Sequence, residues 1–167
     1  MHPARLDDDH LLRECDLERL RRSGPGGQRR NKVETGVRLR HRPTGLVGEA
    51  TESRSAEVNR HAALRRLRID LAIAVRRPAA AQPSELWRQR IRGRLLSVNP
   101  DHADVPALIA EALDWLAARD WQAALAAEEL GVSTSQLVRF LSAVPAALAQ
   151  LNAARADRGL RPLRPTA

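Results

Sequence analysis

The segment Ser23-Gly24-Pro25-Gly26-Gly27-Gln28 constrains this chain more than any other. Three glycines and a proline in four consecutive positions allow neither a regular helix nor a strand. The segment is therefore a loop, and the elements on either side must be complete without it. Downstream, the polar residues 28–35 are predicted to form a short helix. Val37, Leu39 and His41 then alternate with Arg38, Arg40 and Arg42, the period of a half-buried strand. Pro43-Thr44-Gly45 reads as a turn and residues 46–51 as a returning strand, giving a hairpin with one arginine-rich face. Ser55 suits the N-cap of a following helix, with Glu57 in its first turn. Leu64, Leu67, Leu71 and Ala74 recur at the spacing of an apolar helix face, and the helix should end near Arg76-Arg77. Upstream, residues 10–15 suit a short helical turn, and residues 17–22 lead into the loop.

The second half reads differently. Residues 78–83 are bracketed by prolines and open a linker that runs through the basic residues 87–94. Asn99-Pro100-Asp101 suits a turn, and Asp104 with Pro106 suits a helix start. Leu108, Ile109, Leu113 and Leu116 supply that helix with its apolar stripe. Another helix is expected from near Asp120 to Gly131. Ser133 and Gln136 are spaced as a capping box for the next, and Pro145 opens a last short one. Trp87, Trp115 and Trp121 are read as core residues. The expected fold is thus α+β: a small antiparallel sheet with a packed helix and an exposed Gly-Gly-Gln loop, followed by a small all-helical domain. The expected boundaries are 1–77 for the first domain, 78–98 for a basic linker, 99–157 for the helical domain and 158–167 for a basic tail.

Charge divides the chain more sharply than composition does. Of 28 cations only Lys32 is a lysine, and against 20 anions the net charge is +8. Residues 1–18 carry −4, residues 19–94 carry +14, and residues 95–167 carry −2. An excess of this size on some seventy residues points to a polyanion, and arginine's planar fork suits phosphate. Cys15 stands alone, which excludes an intrachain disulfide. The five scattered histidines form no ligand-spaced cluster with it, so neither metal nor other cofactor is expected. The acidic start with Asp7, Asp8 and Asp9 resembles no targeting peptide, and no apolar run approaches the length that spans a bilayer. A cytoplasmic monomer without membrane contact is the expectation.

A Gly-Gly-Gln triplet alone carries little weight. Its setting carries much more: Arg21-Arg22-Ser23-Gly24-Pro25-Gly26-Gly27-Gln28-Arg29-Arg30-Asn31-Lys32, then the strand, then His41-Arg42-Pro43-Thr44-Gly45, then Arg54-Ser55. This ordered series, over about residues 15–76, resembles the catalytic domain of class I peptide chain release factors and the related ribosome-rescue peptidyl-tRNA hydrolases. One position departs from it, since many members have His directly after the Gln, where this chain has Arg29. The resemblance implies ribosome-dependent hydrolysis of the peptidyl-tRNA ester, with Gly26, Gly27 and Gln28 as the catalytic tip. It implies as partners the large-subunit RNA and the P-site peptidyl-tRNA. The residue types fit that chemistry. Consecutive glycines let backbone approach an RNA-lined pocket, and a main-chain N–H there can stabilise charge on a reacting oxygen. No general base stands nearby, so the isolated protein should be inactive. Arg21, Arg22, Ser23, Arg29, Arg30, Asn31, Lys32, Arg38, Arg40 and Arg54 are the candidate RNA contacts.

The helical half has no counterpart of a stop-codon-reading domain. Its residues 126–137 instead resemble a bacterial helix-turn-helix, although the second helix offers only Arg139 as a cation. Two other readings stay open at this level. One is a non-catalytic ribosome- or RNA-binding protein that keeps the fold, the other a helix-turn-helix DNA-binding regulator.

Overall fold

A computed structural model describes residues 1–21 and 34–166. The Gly-Gly-Gln segment lies outside them, as does most of the short helix expected over 28–35, whose last two residues, Glu34 and Thr35, are not helical. The chain divides into two compact units, whose described residues are 1, 3–21 and 34–71 in one and His2 with 72–166 in the other.

The first unit opens with a 3-10 turn, Pro3–Arg5, and a short helix α1, Asp8–Arg13. Asp7 caps α1 by accepting the His10 N–H at 2.8 Å, and Asp8 and Asp9 lie in its first turn, where negative charge is stabilised. Strands β1 (Cys15–Leu20), β2 (Gly36–His41) and β3 (Val47–Ala50) form one antiparallel sheet in that order. The expected hairpin is β2 and β3. Val37, Leu39 and His41 are buried, Arg38 and Arg40 face outward, and Gly45 takes a positive φ of 74° in the turn. The sequence reading left residues 17–22 without a strand, and the structure corrects this with β1. An edge strand is covered on few sides, so of β1 only Cys15 is buried and Leu17 is 47% exposed. No alternation survives to be read, and the acidic Asp16 and Glu18 suit an unpaired edge.

Helix α2 spans Ala56–Ala74, with Ser55 Oγ accepting the Val58 N–H at 3.3 Å. Leu64, Leu67 and Leu71 are buried as expected, together with Ala63, whereas Ala74 at the helix end is exposed. The helix packs on the sheet at very close range. A Cβ on Gly48 in β3 would lie 2.2 Å from the Ala63 carbonyl oxygen and 2.7 Å from the Leu67 nitrogen. Only glycine lets a strand come this near a helix backbone.

The second unit is built around α4, Val105–Ala118. Every residue from 105 to 116 is buried, so the expected one-sided stripe is in fact a helix covered all round. Its two acids are covered too and are satisfied by the incoming chain. Glu111 accepts from the Ser84 N–H at 2.6 Å and hydroxyl at 2.5 Å, and Asp114 accepts from the Arg77 N–H at 2.9 Å and the Arg76 guanidinium at 3.1 Å. Both ends of the proline-bracketed stretch 78–83 are thereby tied to α4.

The residues read as linker beyond it carry α3 (Glu85–Arg88) and a small hairpin of β4 (Ile91–Arg92) and β5 (Leu95–Leu96). Trp87 of α3 is fully buried, donates its indole N–H to the Leu130 carbonyl at 2.8 Å and meets Phe140 edge-on at 6.0 Å. Trp115 and Trp121 are buried as expected.

Helices α5 (Ala123–Glu129), α6 (Thr134–Ser142) and α7 (Pro145–Ala156) complete the unit. Helix α5 starts later than Asp120, because Asp120 and Trp121 both take left-handed backbone, with φ 49° and 61°. Two such residues cost about 1–3 kcal/mol each, and the buried Trp121 ring with the Arg155 guanidinium on its carbonyl at 2.6 Å holds the turn. Gly131, at φ 72°, ends α5, and Ser133 caps α6 by accepting the Gln136 N–H at 3.2 Å. The reciprocal half of a capping box is replaced, since the Ser133 N–H donates to the Arg94 carbonyl at 3.2 Å. The basic end of the chain folds back on α7, where Asn152 exchanges two hydrogen bonds with the backbone of Leu163 at 2.8 and 2.9 Å. No helix among the described residues is long and apolar enough to cross a membrane.

Candidate functional site

Gly26, Gly27 and Gln28 connect the end of β1 to the start of β2, with Arg22, Ser23, Arg29, Arg30, Asn31 and Lys32, and all nine lie outside the described residues. What the structure gives is the base on which that connection stands. Leu20 pairs with Gly36 in the last register position of the β1–β2 ladder. A Cβ on Gly36 would come within 2.9 Å of Leu20 Cβ, Leu20 O and Thr51 Cγ2, so the narrowing of the sheet there requires glycine. One step further out, Arg21 Nε donates to Glu34 Oε1 at 2.9 Å. Both ends of the connection are thus held side by side.

The deepest tie at this base is Asn59, which the sequence reading did not single out. Its side chain is buried in the first turn of α2. Nδ2 donates to the Thr35 carbonyl at 2.7 Å and the Ser53 carbonyl at 2.9 Å, and Oδ1 accepts the Ser53 N–H at 2.9 Å. The Thr35 hydroxyl reaches the same Ser53 carbonyl at 3.3 Å. One amide therefore fixes the chain where it enters β2 and where it enters α2. The signal was in the sequence: Asn59 stands four residues before Ala63, eight before Leu67 and twelve before Leu71, a polar residue on the apolar stripe.

The other end of β2 is fixed as firmly. His41 is buried, with Nε2 2.9 Å from Glu14 Oε2 and Nδ1 2.8 Å from Thr44 Oγ1. Arg42 donates to the Cys15 carbonyl and to Asp16 Oδ1 at 2.9 and 3.0 Å, and also to the Arg13 carbonyl. The His-x-Pro-Thr-Gly turn is a brace for the sheet, remote from the connection by the length of a strand.

A family model described as the RF-1 domain matches residues 11–97, just over half of the chain. The chain belongs to the RF-1 domain family. Relatives agree. The chloroplastic peptide chain release factor PrfB1 of Arabidopsis thaliana is 38% identical over 87 residues, covering 47% of this chain and 19% of that protein. Peptide chain release factor 1 of a Nocardioides species is 38% identical over 85 residues, 51% of this chain and 23% of the relative. That of Acidiphilium cryptum is 43% identical over 81 residues, 47% and 23%. The chain spans about a fifth of the length of the curated relatives it matches. No solved structure matches.

The RF-1 domain sorts its arginines into two groups. Arg38, at the centre of the outer sheet face, lies between Glu49 at 2.9 Å and Glu18 at 3.1 Å, and the two carboxylates raise its pKa further above the ordinary guanidinium value. The face expected to be arginine-rich is thus balanced by Asp16, Glu18 and Glu49. Glu18 and Asp16 come from β1, the strand that sequence alone did not supply. Arg66 is likewise bound to Glu52 at 2.6 Å and lowers the pKa of that carboxyl. Arg40 and Arg54 are exposed and form no ion pair among the described residues, although Asp16 stands opposite Arg40 in the β1–β2 register.

Proposed function

We propose that this chain hydrolyses the peptidyl-tRNA ester on the ribosome, in translation termination or in the rescue of stalled ribosomes. The observation that carries the reading is the placement of Gly26-Gly27-Gln28 in an RF-1 domain, on the connection whose base Gly36, Asn59 and the Arg21–Glu34 pair hold closed. A rigid base is what a positioning catalyst needs, because misplacement of about 1 Å at the reacting centre costs two orders of magnitude in rate.

In this reading water attacks the ester carbonyl, the bond to the tRNA ribose oxygen breaks, and that oxygen takes up a proton. The Gln28 N–H stabilises the charge that develops on oxygen, and its side-chain amide orients the water and excludes larger nucleophiles. Gly26 and Gly27 let the backbone reach the peptidyl-transferase RNA. Arg22, Ser23, Arg29, Arg30, Asn31, Lys32, Arg40 and Arg54 contact RNA, whereas Arg21 and Arg38, each paired with carboxylates, hold the base of the connection and the sheet. The partners are the large-subunit RNA and P-site peptidyl-tRNA, the protein acts as a cytoplasmic monomer, and no cofactor takes part. Residues 1–77 form the catalytic domain, and the helical residues that follow are accessory to it.

Peptide release from ribosomes loaded with labelled peptidyl-tRNA, with and without a stop codon in the A site, tests this. Release that falls by at least about 100-fold in Gln28→Ala, which removes the amide that orients the water, and in Gly27→Ala, whose methyl shifts the backbone that aims the Gln28 N–H, the scale of a misplacement of about 1 Å, supports the reading. Binding to ribosomes without release in any complex would mean a non-catalytic RNA-binding protein instead.

A further inference from the structure

We propose that the β4–β5 hairpin and the exposed side of α6 form a second RNA-binding surface, one that docks in the shallow groove of an RNA duplex. Sequence alone gave α6 a single cation, Arg139, too few for a polyanion. The fold changes that count by bringing up the hairpin. The Arg94 carbonyl accepts the Ser133 N–H at 3.2 Å immediately before α6, and the Arg94 guanidinium reaches the Val132 carbonyl at 3.3 Å. Arg92 pairs across the hairpin with Leu95, so both lie on one face of it. Leu95 in turn shares a groove of about 520 Å³ with Gln136, Arg139 and Phe140 of α6.

Three exposed arginines therefore border α6, Arg92 and Arg94 on the hairpin that meets its start and Arg139 in its last turn, and none forms an ion pair with a carboxylate among the described residues. This contrasts with Arg88, Arg90 and Arg119 of the same unit, which are each paired with an acid at 2.5–2.8 Å. No Asp or Glu lines the groove. Its one charged lining residue is Arg139, and a groove with a cation and no anion, bordered by the hairpin arginines, is complementary to phosphate. The hairpin tip adds shape: Gly93 turns at φ 61°, and Leu95 is 57% exposed beside Arg92. An apolar side chain flanked by arginines suits the wide, shallow groove of A-form RNA, where it meets sugar edges while the guanidiniums span to phosphates and Ser135 and Gln136 reach 2′-hydroxyls. The choice of RNA over DNA rests on the ribosomal reading above.

The test is fluorescence anisotropy of the full chain with a labelled RNA duplex of about 16 base pairs, titrated across salt concentrations without ribosomes. It is therefore independent of peptide release: a chain inactive in release can still bind, and an active one can fail to. The variant Arg92→Gln/Arg94→Gln/Arg139→Gln is expected to bind at least tenfold more weakly and to lower the salt slope by about 2–3, close to one for each phosphate no longer neutralised. A control of equal charge change, Arg158→Gln/Arg161→Gln/Arg164→Gln, removes three exposed arginines elsewhere in the unit and should lower the slope by less than one. Far-ultraviolet circular dichroism confirms that both variants are folded. Affinity within twofold of wild type, an equal loss in the control, or equal affinity for a DNA duplex of the same sequence would each overturn the proposal. The first of these would leave the groove to a protein partner.

Discussion

The sheet unit and the helical unit are stabilised by different means. Around α4 the second unit is held by apolar packing: Leu108, Ile109, Leu113 and Leu116 are fully covered, and the buried acids Glu111 and Asp114 are matched by donors from the incoming chain. Among its described residues the sheet unit has three short strands, one long helix and the short α1 with the 3-10 turn before it, and a correspondingly thin core. Much of its order comes from single polar side chains that each tie two backbone segments, as Asn59, His41 and Arg42 do. Packing is tolerant of detail but gives no one atom a fixed place, whereas a buried amide with its partners matched specifies position. Under the proposed function the first domain holds a reactive tip in register, and it gains from the second kind of order. The helical unit has no such demand on its core.

The largest effect is expected at Leu113, where Leu113→Ala leaves a cavity in the middle of α4 and should cost about 2–5 kcal/mol in a urea titration followed by circular dichroism. A smaller loss would mean that the helical core is not its main support. Gly48→Ala comes next. Its methyl meets the α2 backbone and not a movable side chain, so a loss of about 1–3 kcal/mol and poor refolding are expected, with recovery from no compensating change at Leu67.

Asn59→Ala should cost about 1–3 kcal/mol because the Thr35 and Ser53 backbone groups lose their partner. It should also slow peptide release at temperatures where the variant stays fully folded. Release unchanged under those conditions would sink the view that Asn59 positions the tip. The smallest effect concerns Cys15. Burial raises its thiol pKa to about 11 from an ordinary 9.0. A raised folded pKa favours the protonated form, so stability from this group is whole below pH 9 and declines as the pH climbs towards 11. Alkylation by iodoacetamide at pH 8.5 should accordingly be slow in the native chain and fast in denaturant. Equal rates would show the edge strand opening freely.

The legible parts of the fold were those whose pattern is local. The β2 alternation, the turn at Gly45 and the helix caps at Ser55 and Ser133 follow from steric and hydrogen-bonding preferences within a few residues. Strand β1 was not legible, since an edge strand needs only one covered side and Asp16-Leu17-Glu18-Arg19 shows no period. Nor was the all-round burial of α4, because Glu111 and Asp114 look like a solvent face until their partners arrive from residues 76–84. The site divided in the same way. The Gly-Gly-Gln series could be read directly, while Asn59 looked like an ordinary polar residue of a helix start.

Residue identity and order were enough for the motif series, the Gly-Pro break within it, the family-like frame of about residues 15–76 and the concentration of positive charge in residues 19–94. Tertiary structure alone decided which arginines are already neutralised and which are left for a partner. Arg38 is neutralised by Glu18 and Glu49, while Arg94 is carried to the start of α6 by the β4–β5 hairpin. Charge pairing acts over a few ångströms between residues tens of positions apart, and only the folded chain brings them together.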